Sequence, residues 1–219
     1  MVSGGVRLRK RTPVEAAAGP VAVRRRPRQA RAQASNQALQ EAFVRVLLER
    51  GYAKTTIREV AAVAGVGVGT FYEYFGNMRA LAAKCISETV RSCAVRAREA
   101  GAACAGRPRA ELASAVMRSM LDTVCADEAR WAALLLLERN VSTPAAYRRH
   151  YEQWVQLWAD ALGAACDPPA APSEAGRMVH AISYGVLCQW LLTRELPLDR
   201  ALLERELGAA LDGYLARIG

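Results

Sequence analysis

The chain has 219 residues, 52% of them hydrophobic, 6% aromatic and 23% charged, with 30 Lys and Arg against 21 Asp and Glu. That length accommodates a small module plus a larger core and excludes a large multidomain enzyme, while the apolar share excludes a wholly disordered or collagen-like chain. The charge is uneven: residues 1–31 carry nine basic side chains and one acid, Glu15, whereas the remainder holds 21 basic and 20 acidic groups. A nearly neutral body with a basic appendage points to an anionic partner reached by an arm, and Arg24, Arg25, Arg26 and Arg28 are its densest basic run. Residues 1–34 are therefore expected to be a basic, disordered arm, with an organellar transit peptide as the lesser alternative.

From Ser35 onward the pattern predicts an all-α body of about nine helices, with no period-two run of β-branched residues. Leu39, Ala42, Phe43, Val46 and Leu47 recur at helical spacing, and Gly51 stands at the C-terminal cap. Thr56 and Glu59 form a capping box that opens a second helix, expected to run about nine residues and to stop at Gly65. Val68 to Phe75 is a third short helix ending at Gly76, and Asn77 caps a long fourth one carrying Leu81, Cys85, Ile86, Cys93 and Ala97. Five more follow: about 109–126; one capped by Asp127; one opened by Thr143-Pro144 and running to about Cys166; one from Ser173 to about Arg194; and one from Pro197 to about Arg217.

The six cysteines form no C-x-x-C pair, and buried, reduced thiols are the expected state. Cys85 and Cys93 are separated by about 12 Å of helical rise, beyond disulfide reach. No apolar run approaches the roughly 20 residues of a membrane span; the longest, Trp131 to Leu137, meets Glu138 and Arg139 at once. The two histidines, His150 and His180, have no carboxylate or Cys at metal-ligand spacing and are expected to be surface or satisfied core groups. Gly65-Val66-Gly67-Val68-Gly69 is not a nucleotide loop, because a helix precedes it and Thr70 takes the third glycine's place. No Gly-x-Ser-x-Gly elbow is present. Neither catalysis nor a metal or cofactor is expected.

Two short helices joined by a glycine turn, between an amphipathic helix and a long one, meet the requirements of a helix-turn-helix module. Gly51-Tyr52, Thr55-Thr56, Val60-Ala61, Ala64-Gly65-Val66, Gly69-Thr70-Phe71-Tyr72, Tyr74-Phe75 and Arg79-Ala80-Leu81 closely resemble the signature of the tetracycline-repressor (TetR) type of bacterial transcriptional regulator, over about residues 36–85. The resemblance implies a three-helix DNA-binding domain at 35–80 and a helical effector-binding and dimerisation domain at 81–219. Physically, Thr56 suits a phosphate at its helix start, and Arg58 reaches a phosphate or a guanine edge. The resemblance places Val68, Gly69 and Thr70 against base edges, with Tyr72 and Tyr74 hydroxyls on phosphates and Phe71 and Phe75 in the core. Gly67 stands where a Ser or Thr cap is usual, and Met78 replaces a customary phosphate-binding lysine, a loss for which the basic arm would compensate in the minor groove.

All four tryptophans lie outside this module, and Tyr147, Tyr151, Trp154 and Trp158 share one helix face. Such a stripe reads first as packed core. Its functional reading is an apolar effector cavity formed by Met117, Met120, Leu121, Trp131, Tyr151, Trp154, Trp158, Tyr184 and Cys188, suited to a lipophilic, aromatic or acyl ligand. Ala181, Gly185, Leu203, Leu207, Leu211 and Tyr214 on the last two helices are candidates for a four-helix homodimer interface. The expected protein is a cytoplasmic dimeric regulator on a near-palindromic double-stranded DNA operator, most simply a repressor released by a small effector that swings the fourth helix. The competing reading is a small-molecule or thiol redox sensor without specific operator recognition.

Overall fold

Helix boundaries fall where the capping residues sit. The computed structural model describes residues 1–2 and 25–218, with side chains of the second stretch from Gln29 onward. Arg24 and the side chains of Arg25, Arg26 and Arg28 lie outside the described residues. The chain divides into two units at Ala34 and Ser35. The described residues form nine α-helices and no strand: α1 (Arg25–Arg50), α2 (Ile57–Val63), α3 (Val68–Tyr74), α4 (Met78–Ala103), α5 (Arg109–Cys125), α6 (Glu128–Val141), α7 (Pro144–Gly163), α8 (Pro172–Thr193) and α9 (Arg200–Leu215). A 3-10 turn at Tyr52–Lys54, which hydrophobic periodicity gives no sign of, links α1 to α2.

Several boundaries differ from the sequence expectation for local reasons. Helix α1 begins at Arg25, not near Ser35: Arg, Gln and Ala are good helix formers, and Pro27 falls in the first turn, where its missing N–H would have had no partner. Helix α2 has seven residues rather than nine, because Thr56 and Ala64 are its caps, and Gly65 closes it at φ 70° as expected. There the Val66 N–H donates to the Ala61 carbonyl (3.0 Å) and the Gly65 N–H to the Ala62 carbonyl (3.1 Å), the paired bonds of a Schellman stop. Helix α9 starts at Arg200 rather than Pro197, with the Asp199 carboxylate accepting from the Leu202 N–H at 3.0 Å.

Two apolar cores result. The first joins Leu39 and Phe43 of α1, Val60 of α2, Phe71 of α3, and Leu81, Cys85 and Ile86 of α4. Its last wall comes from far along the chain, as Leu134, Leu137 and Val141 of α6 pack into it. The second is built from α4, α5, α7, α8 and α9, with Trp131 of α6, around the fully buried Trp158, Leu121, Leu157 and Leu203. Val90 packs against both. Helices α7 and α8 pack backbone to backbone at Gly176, where a Cβ would stand 2.7 Å from the Val155 carbonyl oxygen and 2.8 Å from the Ala159 nitrogen. No described helix is long and apolar enough to cross a membrane.

Candidate DNA-binding face and effector cavity

The helix-turn-helix is set by short-range chemistry. The Thr56 hydroxyl accepts from the Glu59 N–H (3.2 Å), and the Glu59 carboxylate in turn pairs with Arg50 at 2.8 Å, tying α2 to the end of α1. Phe71 and Phe75 fill the core beneath α3 at 0% and 6% exposure, which fixes the helix by one face and leaves the other outside. On that outer side Val68 and Tyr72 are exposed to 39% and 56%. Gly67, Gly69, Thr56 and Arg58 are also exposed, and Thr70 and Tyr74 are half-buried.

The two glycines of α3 are not required by packing. Gly67 is the N-cap and supplies no side-chain bond, and a Cβ at Gly67 or Gly69 would meet no atom within 4 Å. Glycine inside a helix costs roughly 0.5–1 kcal/mol relative to alanine. The start of α3 is therefore weaker than it need be, and bare backbone is presented where a side chain would fit.

Arg79 has a role that periodicity did not reveal. Its Nε–H donates to the Val141 carbonyl oxygen at 2.9 Å. Val141 is the last residue of α6, where carbonyls lack intrahelical partners, so the guanidinium both satisfies one and suits the negative end of the helix.

Between the five helices α4 to α8 lies a cavity of about 290 Å³. Val90 and Cys93 of α4, Met120 and Val124 of α5, and Trp131, Leu135 and Glu138 of α6 form one side. Tyr147, His150, Tyr151 and Trp154 of α7 and His180, Ala181, Tyr184, Leu187, Cys188 and Leu191 of α8 form the other. Of the pocket residues expected from sequence, Met120, Trp131, Tyr151, Trp154, Tyr184 and Cys188 meet here. Met117, Leu121 and Trp158 do not; at 3%, 0% and 0% exposure they pack in the core behind the wall.

Leu203, Leu207 and Leu211 of α9 also point into their own subunit, at 0%, 1% and 2% exposure, and a side chain consumed by that core has no surface left for a partner. Of the other candidate interface residues, Ala181 lines the cavity, and Gly185 and Tyr214 are half-buried.

The polar wall residues were the least anticipated. Glu138, 5% exposed, accepts from His150 Nδ1 at 3.2 Å. His180, 6% exposed, stacks on Trp154 with centroids 6.2 Å apart and planes 5° apart, and its Nδ1 has no hydrogen-bond partner, so it is not the satisfied group expected. Tyr151 and Tyr184 flank it at 5.4 and 5.7 Å. Burial lowers the His180 pKa from its ordinary 6.5 to about 4, and raises that of the Tyr184 hydroxyl. Burial likewise pushes the Cys85 and Cys93 thiols up to about 12 and raises Cys188, so these are protonated thiols of low nucleophilicity.

A pH effect follows from His180. Unfolded, the imidazole takes up a proton near pH 6.5; folded, it resists until about 4, so the unfolded state binds more protons across that window. Stability is therefore expected to fall as pH drops from 6.5 to 4, by ~3 kcal/mol in total from this group. Urea denaturation at pH 7 and pH 4.5 checks it: in His180→Phe the loss between the two pH values should be smaller than in the parent.

Comparison with known proteins agrees with this architecture. Residues 40–85 match the sequence profile described as bacterial regulatory proteins, tetR family. No curated protein matches the chain. Among solved structures, the fatty acid degradation regulator FadR from Bacillus halodurans is similar at 21% identity and a TM-score of 0.65, covering 81% of this chain and 97% of its own. FadR from Bacillus subtilis in complex with stearoyl-CoA is similar at 18% identity and 0.65, covering 80% and 96%. A TetR family transcription regulator from Marinobacter aquaeolei VT8 is similar at 16% identity and 0.62, covering 84% and 97%. At these identities the likeness is one of fold. Residues 40–85 thus carry the sequence pattern of the tetR family of bacterial regulatory proteins, and the described helices share the fold of these solved regulators.

Proposed function

We propose that the protein is a sequence-specific, DNA-binding transcriptional regulator that acts as a dimer on a near-palindromic operator and is released from it by a small, largely apolar effector held in the cavity. The observation that carries this reading is the outer face of α3. Gly67 and Gly69 leave its backbone bare beside the exposed Val68 and Tyr72 with no packing reason to do so, as suits close approach to a groove. Thr56, Arg58 and Tyr74 supply phosphate or base-edge contacts, and the basic run Arg24, Arg25, Arg26 and Arg28, at and just before the start of α1, adds phosphate contacts. The dimer interface is formed by what α8 and α9 leave uncovered, including Gly185, Tyr214 and the exposed Met178. Burial and protonation weigh against Cys85 and Cys93 as sensing thiols, while Cys166 is exposed.

The part of the effector that the cavity encloses is smaller than the ligand named for the Bacillus subtilis structure. At ~30 Å³ for each water-sized group, 290 Å³ admits about ten non-hydrogen atoms, well short of a stearoyl chain.

Selection of bound sequences from a random DNA pool tests the proposal. An enriched near-palindrome is expected, with affinity for it reduced about tenfold or more by Thr70→Ala. Tyr72→Phe should weaken binding without changing the preferred sequence. Gly69→Ala should separate two properties, raising stability by up to ~1 kcal/mol while lowering operator affinity. Salt-sensitive binding with no sequence preference would overturn the proposal.

A further inference from the structure

Resting on the reading of the cavity as an effector site, we propose that its ligand is an uncharged, flat aromatic compound of about ten non-hydrogen atoms carrying an acceptor oxygen, of the aryl ester or aryl ketone class, which His180 recognises by donating Nε2–H. Shape comes first. Trp154 and His180 lie parallel, Tyr151 and Tyr184 tilt beside them, and Trp131 of α6 also lines the space, so rings form one part of a wall that Val90, Leu135, Leu187 and Leu191 complete. Against the rings a planar aromatic ligand makes stacked and edge-to-face contacts that a branched aliphatic ligand of equal volume does not.

The acceptor follows from the tautomer of His180. A neutral imidazole has one N–H, and Nδ1 is buried with no partner. An orphaned buried N–H is rarer and costlier than a bare lone pair, so the proton belongs on Nε2, the nitrogen left to meet a ligand. Burial keeps the ring uncharged at neutral pH.

Net charge on the ligand is excluded from both sides. The carboxylate of Glu138 already accepts from His150 at 3.2 Å, so a cation would compete for an occupied partner. The open groove that shares Glu138, Tyr147 and Tyr151 with the cavity adds Arg139, Arg148 and Glu152, so with Glu138 its charges balance and it draws in neither a cation nor an anion. An anion would face the Glu138 carboxylate and a histidine that carries no charge.

Titration of tryptophan fluorescence in the full chain, without DNA, tests the assignment with four probes of similar size: methyl benzoate, naphthalene, benzoate and phenyltrimethylammonium. Methyl benzoate is expected to quench saturably and to bind about tenfold tighter than naphthalene, which lacks an acceptor. His180→Phe should abolish that tenfold preference, read as the ratio of the two affinities within the variant, so that any change of cavity shape common to both probes cancels. His180→Gln, which keeps an N–H, should retain part of the preference. Tightest binding by phenyltrimethylammonium or benzoate overturns the proposal, as does equal binding of methyl benzoate and naphthalene, or no saturable quenching by methyl benzoate. Because no operator is present, failure here leaves operator recognition standing. Conversely, saturable methyl benzoate binding by a chain that selects no operator would overturn the regulator and keep the ligand class.

Discussion

Gly176→Val is expected to destabilise the protein by about 3 kcal/mol or more, at the upper end of what overpacking produces. The usual relief, rotation of a neighbouring side chain, is closed: the atoms nearest a new Cβ are the Val155 carbonyl oxygen at 2.7 Å, the Ala159 nitrogen at 2.8 Å and the Ala159 Cα at 3.2 Å. Only separation of α7 from α8 makes room. Those two helices also carry Tyr147, His150, Tyr151, Trp154, His180 and Tyr184 on the cavity wall, so the same substitution should blunt ligand binding in whatever fraction folds. Urea denaturation followed by far-ultraviolet circular dichroism measures the first effect, and fluorescence titration the second. Gly176→Ala should show both to a lesser degree.

Trp158→Ala is expected to cost about 3–5 kcal/mol, because the indole is fully buried where α7 meets α4, α5 and α8 and its removal leaves a void that close-packed neighbours fill only in part. Trp158→Phe should behave quite differently. The indole Nε1 has no hydrogen-bond partner, and an unsatisfied buried donor carries a penalty of about 1–3 kcal/mol that phenylalanine removes. Lost volume and lost penalty oppose each other, so the variant should stay within about 1.5 kcal/mol of the parent. Midpoints that shift in the alanine variant at unchanged denaturant slope would show that folded-state packing is responsible.

The parts of this protein that are legible in its sequence are those decided within one turn of helix. Thr56 and Glu59, Gly65, Asn77, Asp127, and Thr143 with Pro144 act on neighbours three or four residues away, so the residues that place the ends of α2, α4, α6 and α7 identify themselves. The stripe Tyr147, Tyr151, Trp154 and Trp158 is equally plain, but periodicity gives the face and not the depth: the first three reach the cavity, while Trp158, one turn further on, lies in the core. Leu203, Leu207 and Leu211 show the same ambiguity, since a single apolar stripe serves a subunit's core or a partner and the spacing does not say which. The polar wall was hidden for another reason. Glu138 and His150 meet across the α6–α7 turn, and His180 belongs to no motif, although it stands one turn before Tyr184 and two before Cys188 on the same face of α8. Following that face through its polar member would have found it. Helix α1 beyond Ser35 toward Arg25 was illegible because a run of Arg, Ala and Gln suits a helix and a solvated arm alike.

The reach of α6 into the core of the helix-turn-helix bears on how the protein comes apart. Leu134, Leu137 and Val141 complete that core from about fifty residues beyond the matched family segment, and the Arg79 bond to Val141 fastens the two. The other side of the same helix presents Trp131, Leu135 and Glu138 to the cavity. Fraying of α6 would thus strip apolar cover from both cores at once, so neither is an independent cooperative unit. The stretch that carries the proposed reading surface is shorter than the stretch that must fold to hold it, and a fragment cut at the end of the recognisable motif would be a molten remnant rather than a minimal domain.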